Sequence, residues 1–232
     1  QYDTPAMLKA ITPRTKDSVL CTPNNPTGDF IPDADLMKFV ELGVPIMIDE
    51  AYLEYHPEHE SKAGLVRKYD HVMVSHTFSK AYGMAGIRFG YVLAHERLIG
   101  YFRNMQMPWN TSILSLAAAE AALDEEEELK RKAAYNNAEL DYLVKELSKI
   151  PGLKPYHSRG NYLFVDAADA GLTGKEIVDH VFEKDNIMIK SYASFSGRNG
   201  FFRITVGTHE ENIACVEAIK RYVDNRKKAN KN

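Results

Sequence analysis

Lys80 closes the segment Ser75-His76-Thr77-Phe78-Ser79-Lys80, which follows directly on the short apolar run Val72-Met73-Val74. That run is largely β-branched, the composition of a buried strand, and it gives way to small polar residues where a strand would end. In open α/β sheets ligands lie beyond the carboxyl ends of the strands, so Lys80 would face a crevice among hydroxyls. A lysine amine there can act as a nucleophile and as a carrier of protons. Arg88 comes eight residues later, behind Gly83, Ala85 and Gly86. These small residues suit a tight, closely packed path between two fixed points. Taken alone, a Ser-Lys pair also fits a solvated loop, because lysines are mostly surface residues.

Two further strand ends carry polar residues of the same character. Ser18-Val19-Leu20-Cys21 reads as a strand stopped by Thr22-Pro23-Asn24-Asn25-Pro26-Thr27-Gly28, where prolines and glycine prevent further pairing. Val44-Pro45-Ile46-Met47-Ile48 is a near-continuous apolar run ending in Asp49-Glu50, with Tyr52 just beyond. Unalternating runs suit strands covered on both faces. Between them, Asp33 to Val40 has helical spacing, so strand, helix, strand and the Val72 strand make βαβ units of a mainly parallel sheet. Gly90 to Ala94 supplies another strand, and Pro5 to Ile11 a short helix before the first. Asn25, Asp49 with Tyr52, and Lys80 then lie beyond three strands of one sheet, and several such ends at one edge make a site.

The pattern changes near Trp109. Ser112 to Leu123 is an alanine-rich helix, and Glu125 to Ile150 a long charged helix with Leu129, Leu140, Leu143, Val144 and Leu147 at helical spacing. The acidic run Asp124 to Glu128 suits the positive end of that helix better than a cation site. Strands are expected near Leu153 to His157, at Tyr162 to Val165, at Ile187 to Ile189 and at Phe201 to Val206. A helix from Gly174 to Lys184 has Thr173 as its cap, and Thr208-His209-Glu210-Glu211 is a capping box opening the last helix. The expected architecture is α/β: residues 1–124 form a mainly parallel large domain, and residues 125–232 form the linking helix and a smaller α+β domain.

The chain has 232 residues, with 29 Lys and Arg against 32 Asp and Glu, a net charge of −3. Such a balance gives no field that would gather nucleic acid or an anionic membrane. The lysine-rich end, Arg226 to Lys231, is expected to be a solvated terminus. Cys21 and Cys215 are the only cysteines, far apart and without metal-ligand spacing, which argues against a disulfide framework and for a reducing compartment, the cytoplasm. No apolar run reaches the length of a membrane span.

The segments Asn24-Asn25-Pro26-Thr27-Gly28, Asp49-Glu50-Ala51-Tyr52, Ser79-Lys80 with Arg88, and Arg203-Ile204-Thr205-Val206-Gly207-Thr208 resemble, in order and spacing, the motif series of fold-type I, class I/II aminotransferases. Within that group the resemblance is to the histidinol-phosphate aminotransferase branch, and it runs through nearly all of the chain. It implies pyridoxal 5'-phosphate as cofactor, a PLP-transferase-like fold and a homodimer. Lys80 would carry the cofactor and act as general base and acid, Asp49 would pair with the pyridine nitrogen, and Asn25 and Tyr52 would bind the phenolic oxygen. Thr77, Ser79 and Arg88 resemble the family's phosphate grip, and Arg203 the arginine that takes the substrate α-carboxylate in a bidentate fork. As a strand residue, Arg203 would face opposite to Phe202 and Ile204. Asn161 resembles a residue at the substrate end.

The implied reaction moves an amino group between an amino acid or amino-alcohol phosphate and a 2-oxo acid. A decarboxylase of a phosphorylated amino acid, or a non-catalytic fragment, is the alternative. Family members carry a long stretch before the segment that begins this chain, which starts at Gln1, so the large domain is expected to be incomplete. Where the histidinol-phosphate branch commonly has an arginine for substrate phosphate, this chain reads Ile189-Lys190-Ser191-Tyr192, with Arg198 further on.

Overall fold

The computed structural model describes residues 2–192 and 194–229. The chain divides into two compact units, residues 1–25 with 29–134 and residues 26–28 with 135–232. The cut falls inside a long helix, and the short segment 26–28 belongs with the second unit.

In the first unit α1 (Thr4–Ala10) leads to β1 (Ser18–Cys21), α2 (Asp33–Val40) to β2 (Ile46–Asp49), and β3 (Val72–Thr77) to β4 (Gly90–Ala94). The strands lie in the order β1-β2-β3-β4, the first three parallel and β4 antiparallel to β3. Ile46, Ile48, Val72 and Val74 are fully buried and share one core with Leu20 and with Leu36, Phe39 and Val40 of α2. The opposite face is less completely covered than the unbroken apolar runs suggest, since Val19 is 59% exposed and Met47 half-buried, while Met73 of the same row is buried.

β3 runs three residues past Val74, the end expected from its apolar run. The reason is β4, which supplies antiparallel partners to the polar continuation, His76 opposite Tyr91 and Thr77 opposite Gly90. Gly90 admits this approach, because a Cβ there would stand 2.8 Å from the His76 carbonyl oxygen. A helix that the sequence reading does not include, α3 (Glu96–Met105), follows β4. α4 (Ile113–Leu123) is capped by Ser112, whose hydroxyl accepts from the Leu114 and Ser115 amides. β4 and the region after it expose apolar side chains, including Tyr91, Val92, Met105, Met107 and Trp109.

The long helix α5 (Glu126–Leu147) opens on three glutamates, placed where negative charge suits the helix dipole. In the second unit β5 (Lys154–Tyr156), β6 (Tyr162–Asp166), α6 (Gly174–Asp185), β7 (Lys190–Tyr192), β8 (Phe201–Thr205) and α7 (His209–Ala229) complete the chain. The strands form an antiparallel sheet in the order β5-β6-β8-β7. Leu163, Val165, Phe202 and Ile204 from one face of this sheet bury with Leu143, Ile177 and Ile219 from the three helices. Thr173 and Glu176 form a capping box on α6, and Thr208 and Glu211 another on α7.

Ile187 to Ile189 is not the strand the sequence suggests. Pairing begins at Lys190, opposite Arg203, while Ile187 and Ile189 pack on the helical core from irregular backbone. Of the lysine-rich end, Arg226 to Lys228 lie in α7, and Lys231 is outside the described residues.

Gly28 has a φ of +77°, and a Cβ on it would stand 2.5 Å from the Ser158 Cα, with its carbonyl already accepting from the Arg159 amide at 2.8 Å. Gly43, at φ +70°, has open space around it. Gly28→Ala should therefore cost about 2–4 kcal/mol, combining the left-handed penalty with overpacking, and Gly43→Ala only about 1–2 kcal/mol. Urea unfolding of both variants checks the difference.

Candidate active site

Parallel register lines up the ends of the first unit's strands: Cys21 is opposite Asp49, and Asp49 opposite Ser75. The chain turns polar just there. The Asp49 carboxylate accepts from the Ala51 amide at 3.1 Å and from the Ser75 hydroxyl at 3.3 Å, which fixes its orientation at the last residue of β2. Tyr52 is buried, and its hydroxyl lies 3.5 Å from the Asn25 amide nitrogen. The Lys80 amine sits 5.4 Å from the centre of the Tyr52 ring. Asn25, Tyr52 and Lys80, from three strand ends, are thus brought together, with Asp49 on the same edge.

After β3 the Thr77 hydroxyl accepts from the Ser79 amide at 3.1 Å. The segment then turns through Gly83, which has a φ of +75°, and returns, so that the Phe89 carbonyl accepts from the Phe78 amide at 3.2 Å. This hairpin brings Phe89 and Gly90 back opposite Phe78 and Thr77, with Arg88 the next residue before them. Arg88 adopts left-handed backbone at φ 53°, is exposed, and donates from Nη1 to the Ala85 carbonyl at 2.8 Å. Cys21 beside Asp49 has its thiol pushed up to about 11 by burial and then by the Asp49 charge.

Arg203 and Asn161 are in the second unit. Arg203 lies on β8 with its guanidinium 5.1 Å from the Tyr162 ring centre, while Phe202 and Ile204 point into the core, the alternation a strand imposes. Asn161 precedes β6, and its carbonyl accepts from the Val206 amide just past β8 at 2.9 Å. Arg198 pairs with the buried Asp166 at 2.6 Å, and the Lys190 amine lies over the Tyr192 ring at 5.3 Å.

One group of residues escaped the sequence reading. His76 is buried on β3, with Nε2 3.1 Å from Glu50 Oε2 and Nδ1 3.0 Å from Glu54 Oε1. Glu50, 1 % exposed, also accepts from the Ser61 hydroxyl at 2.5 Å and the Lys62 amide at 2.7 Å. The Tyr91 ring stacks on His76 at 5.1 Å. Burial alone would lower the His76 pKa, but bonds to the two carboxylates overcome it and raise it to about 9. A histidine just past the apolar part of a buried strand, with two glutamates four residues apart after the neighbouring strand, is the signal that could have found it. No group of His, Cys, Asp and Glu among the described residues has metal-binding geometry.

A family model described as "Aminotransferase class I and II" matches residues 1–219. The chain belongs to that family. Curated relatives include the histidinol-phosphate aminotransferases of Methanosphaera stadtmanae, 32% identical over 97% of this chain and 61% of the relative, and of Methanosarcina mazei, 38% identical over 92% and 56%. The chain spans about three fifths of the length of these relatives. Among solved structures, the histidinol-phosphate aminotransferase of Clostridium acetobutylicum has the same fold, with a TM-score of 0.87 at 22% identity over 96% of this chain and 68% of that one. The enzyme from Sinorhizobium meliloti, in complex with pyridoxal-5'-phosphate, gives 0.83 at 25% identity over 90% and 58%. An L-threonine-O-3-phosphate decarboxylase from Porphyromonas gingivalis shares the fold at 0.79 and 20% identity over 96% and 69%. These PLP-transferase-like neighbours agree with the mixed α/β fold class and its partly parallel sheet.

Glu50 is the deepest charge of the cluster. Removing one partner of a buried ion pair leaves the other uncompensated, so Glu50→Gln should cost about 3–5 kcal/mol of unfolding free energy. Denaturant unfolding at neutral pH checks this.

Proposed function

We propose that the chain carries the catalytic machinery of a pyridoxal-phosphate-dependent aminotransferase. It would act on an amino acid or amino-alcohol phosphate, histidinol-phosphate-like, and a 2-oxo acid. The observation that carries this reading is the Lys80 amine held over Tyr52, whose hydroxyl meets Asn25, on the sheet edge that also bears Asp49. Family membership and the names of the relatives support it.

The donors at this edge fit the cofactor's chemistry. Pyridoxal phosphate, when bound, supplies an electron sink for negative charge developing at the substrate Cα. The Asp49 carboxylate, already oriented by the Ala51 amide and Ser75, is suited to hold a proton on the ring nitrogen. Asn25 and Tyr52 can both donate to a phenolic oxygen. Thr77 and Ser79 offer hydroxyls and Arg88 a guanidinium fork, a donor set for phosphate. Lys80 Nζ would hold the cofactor covalently, and its free amine would take the proton from the substrate Cα. Arg203 is assigned the substrate α-carboxylate, and Asn161 a place at the substrate end.

The same reading makes the protein a homodimeric, cytoplasmic enzyme of amino-acid biosynthesis. The exposed Met105, Met107 and Trp109 support an interface. Among the described residues no helix is long and apolar enough to cross a membrane.

Turnover of histidinol phosphate with 2-oxoglutarate, in the presence of pyridoxal phosphate, tests the proposal. The donor should lose its amine to the oxo acid, whereas no transfer from histidinol phosphate, together with carbon dioxide released from a phosphorylated amino acid such as L-threonine-O-3-phosphate, would indicate decarboxylation. Lys80→Ala should lower the rate by roughly 100-fold or more, the contribution of a positioned proton carrier, and retained turnover would refute its role. Arg203→Ala should raise KM for the 2-oxo acid, the substrate of this pair that carries an α-carboxylate, about 10- to 100-fold, the loss of charged hydrogen bonds, with the cofactor dissociation constant unchanged. Loss of cofactor binding in that variant would contradict the role given to Arg203.

A further inference from the structure

We propose that His76 is a positioning residue for the candidate active site, a cationic tie between the segment bearing Asp49 and Tyr52 and the strand end bearing Thr77, Ser79 and Lys80. The inference rests on the reading of that sheet edge as a cofactor site. It adds a residue that touches neither cofactor nor substrate in that reading.

Glu50 adjoins Asp49, Glu54 is two residues beyond Tyr52, and His76 adjoins Thr77. Each partner in the cluster is therefore one or two residues from a residue assigned to the cofactor. His76 spans the two segments, with its ring nitrogens 3.1 Å and 3.0 Å from Glu50 and Glu54. A neutral imidazole has one N–H and one lone pair, so in either tautomer one nitrogen would turn its lone pair toward a carboxylate. Only the imidazolium donates to both. The geometry thus calls for a charged His76.

Among the described residues, the groups facing the ring come from every neighbouring element. Glu50 and Glu54 approach from the segment after β2, and Ser61, whose hydroxyl lies 3.4 Å from Nε2, from the next turn. Tyr91 stacks from β4, its hydroxyl pushed up to about 12 by burial and by Glu54, and so stays neutral when His76 titrates. Tyr82 is likewise raised by burial and Glu54. Lys62 beside Glu50 gives only its amide to that carboxylate, and its amine pairs with Asp33 at 2.9 Å. The positive side-chain charge in direct contact with the two glutamates is therefore that of His76. A cleft of about 730 Å³ lined by Ser75, His76, Gly90 and Tyr91 lets solvent exchange protons with it.

With the imidazole neutral, Glu50 and Glu54 would be left as neighbouring carboxylates with little to screen them. Glu50 is held by Ser61 and Lys62, so Glu54 is the group free to move, and Tyr52 lies on the same short turn. The folded-state pKa of His76 is raised, to about 9. Its contribution is thus complete below the ordinary histidine value of about 6.5 and is lost as pH rises through about 9.

The test uses the 232-residue chain, its His76→Gln variant, which is neutral, and its His76→Arg variant, whose charge is permanent. NMR titration of the wild-type imidazole should give an apparent pKa near 9, and a value near 6.5 would overturn the proposal. Amide hydrogen exchange without added cofactor should quicken in His76→Gln at residues 49–54 and 77–80 but remain close to wild type in His76→Arg. Equal exchange in wild type and His76→Gln would overturn it. Pyridoxal phosphate should bind His76→Gln at least about tenfold more weakly at pH 7, one lost charged interaction, and His76→Arg nearly as well as wild type. Equal binding by all three would also overturn it. If the wild-type chain binds no pyridoxal phosphate, the cofactor reading fails separately, and the exchange and NMR results still decide whether His76 ties the two segments. Should His76→Gln not fold, wild-type exchange followed across pH 7 to 10, corrected for the intrinsic rate, replaces it. Selective loosening of residues 49–54 and 77–80 near pH 9 is then expected, and none would overturn the proposal.

Discussion

The parallel register of β1, β2 and β3 is the constraint on which the site depends. It sets Cys21, Asp49 and Ser75 in one row, so whatever follows each strand emerges at the same sheet edge. The register is itself fixed by burial. Ile46, Ile48, Val72 and Val74 are wholly enclosed, and a slip of one residue would trade each of them for a neighbour with a different shape and place. Hydrophobic packing in the first unit thereby decides which polar groups can meet, although none of the packed residues takes part in the proposed chemistry.

Beyond the strand ends, order comes from hydrogen bonds and charge. Asp49 is aimed by an amide and a hydroxyl, Thr77 by the Ser79 amide, and Glu50 by the Ser61 hydroxyl, the Lys62 amide and His76. Buried ion pairs are seldom a net source of stability, because removing charges from water offsets most of their attraction. What the His76 cluster provides is placement, since few other arrangements satisfy two carboxylates and an imidazolium together. The second unit is built on a different principle, an antiparallel sheet with one face on helices. There strand alternation is enough to turn Arg203 away from the core that takes Phe202 and Ile204.

Much of this was legible in the sequence because the apolar runs stop abruptly at polar residues that would be costly inside a sheet. Asn25, Asp49, Tyr52 and Lys80 stand out for that reason, and the structure gathers them at one edge. The His76 cluster was harder to see. Its members are distant in sequence, and the histidine occupies a strand that pairing with β4 prolongs beyond its apolar part. α3 was hidden by Gly100 in its middle and by an unusual cap, His95, whose ring nitrogen accepts from the Arg97 amide. Ile187 to Ile189 misled in the opposite way, since an apolar run can face a core from irregular backbone. The distinction between transamination and decarboxylation leaves no trace at this level, because it depends on which bond of a bound substrate is aligned.

The family is established by a match across most of the chain, while the relatives are longer by about two fifths of their own length. The central claim is therefore that these 232 residues assemble enough of the edge to hold the cofactor on one particular lysine. Incubation with pyridoxal phosphate, reduction with borohydride and peptide mapping address it directly. The account predicts a single reduced adduct, on Lys80 and not on the other lysines. An adduct spread over several lysines, or none at all, would contradict it.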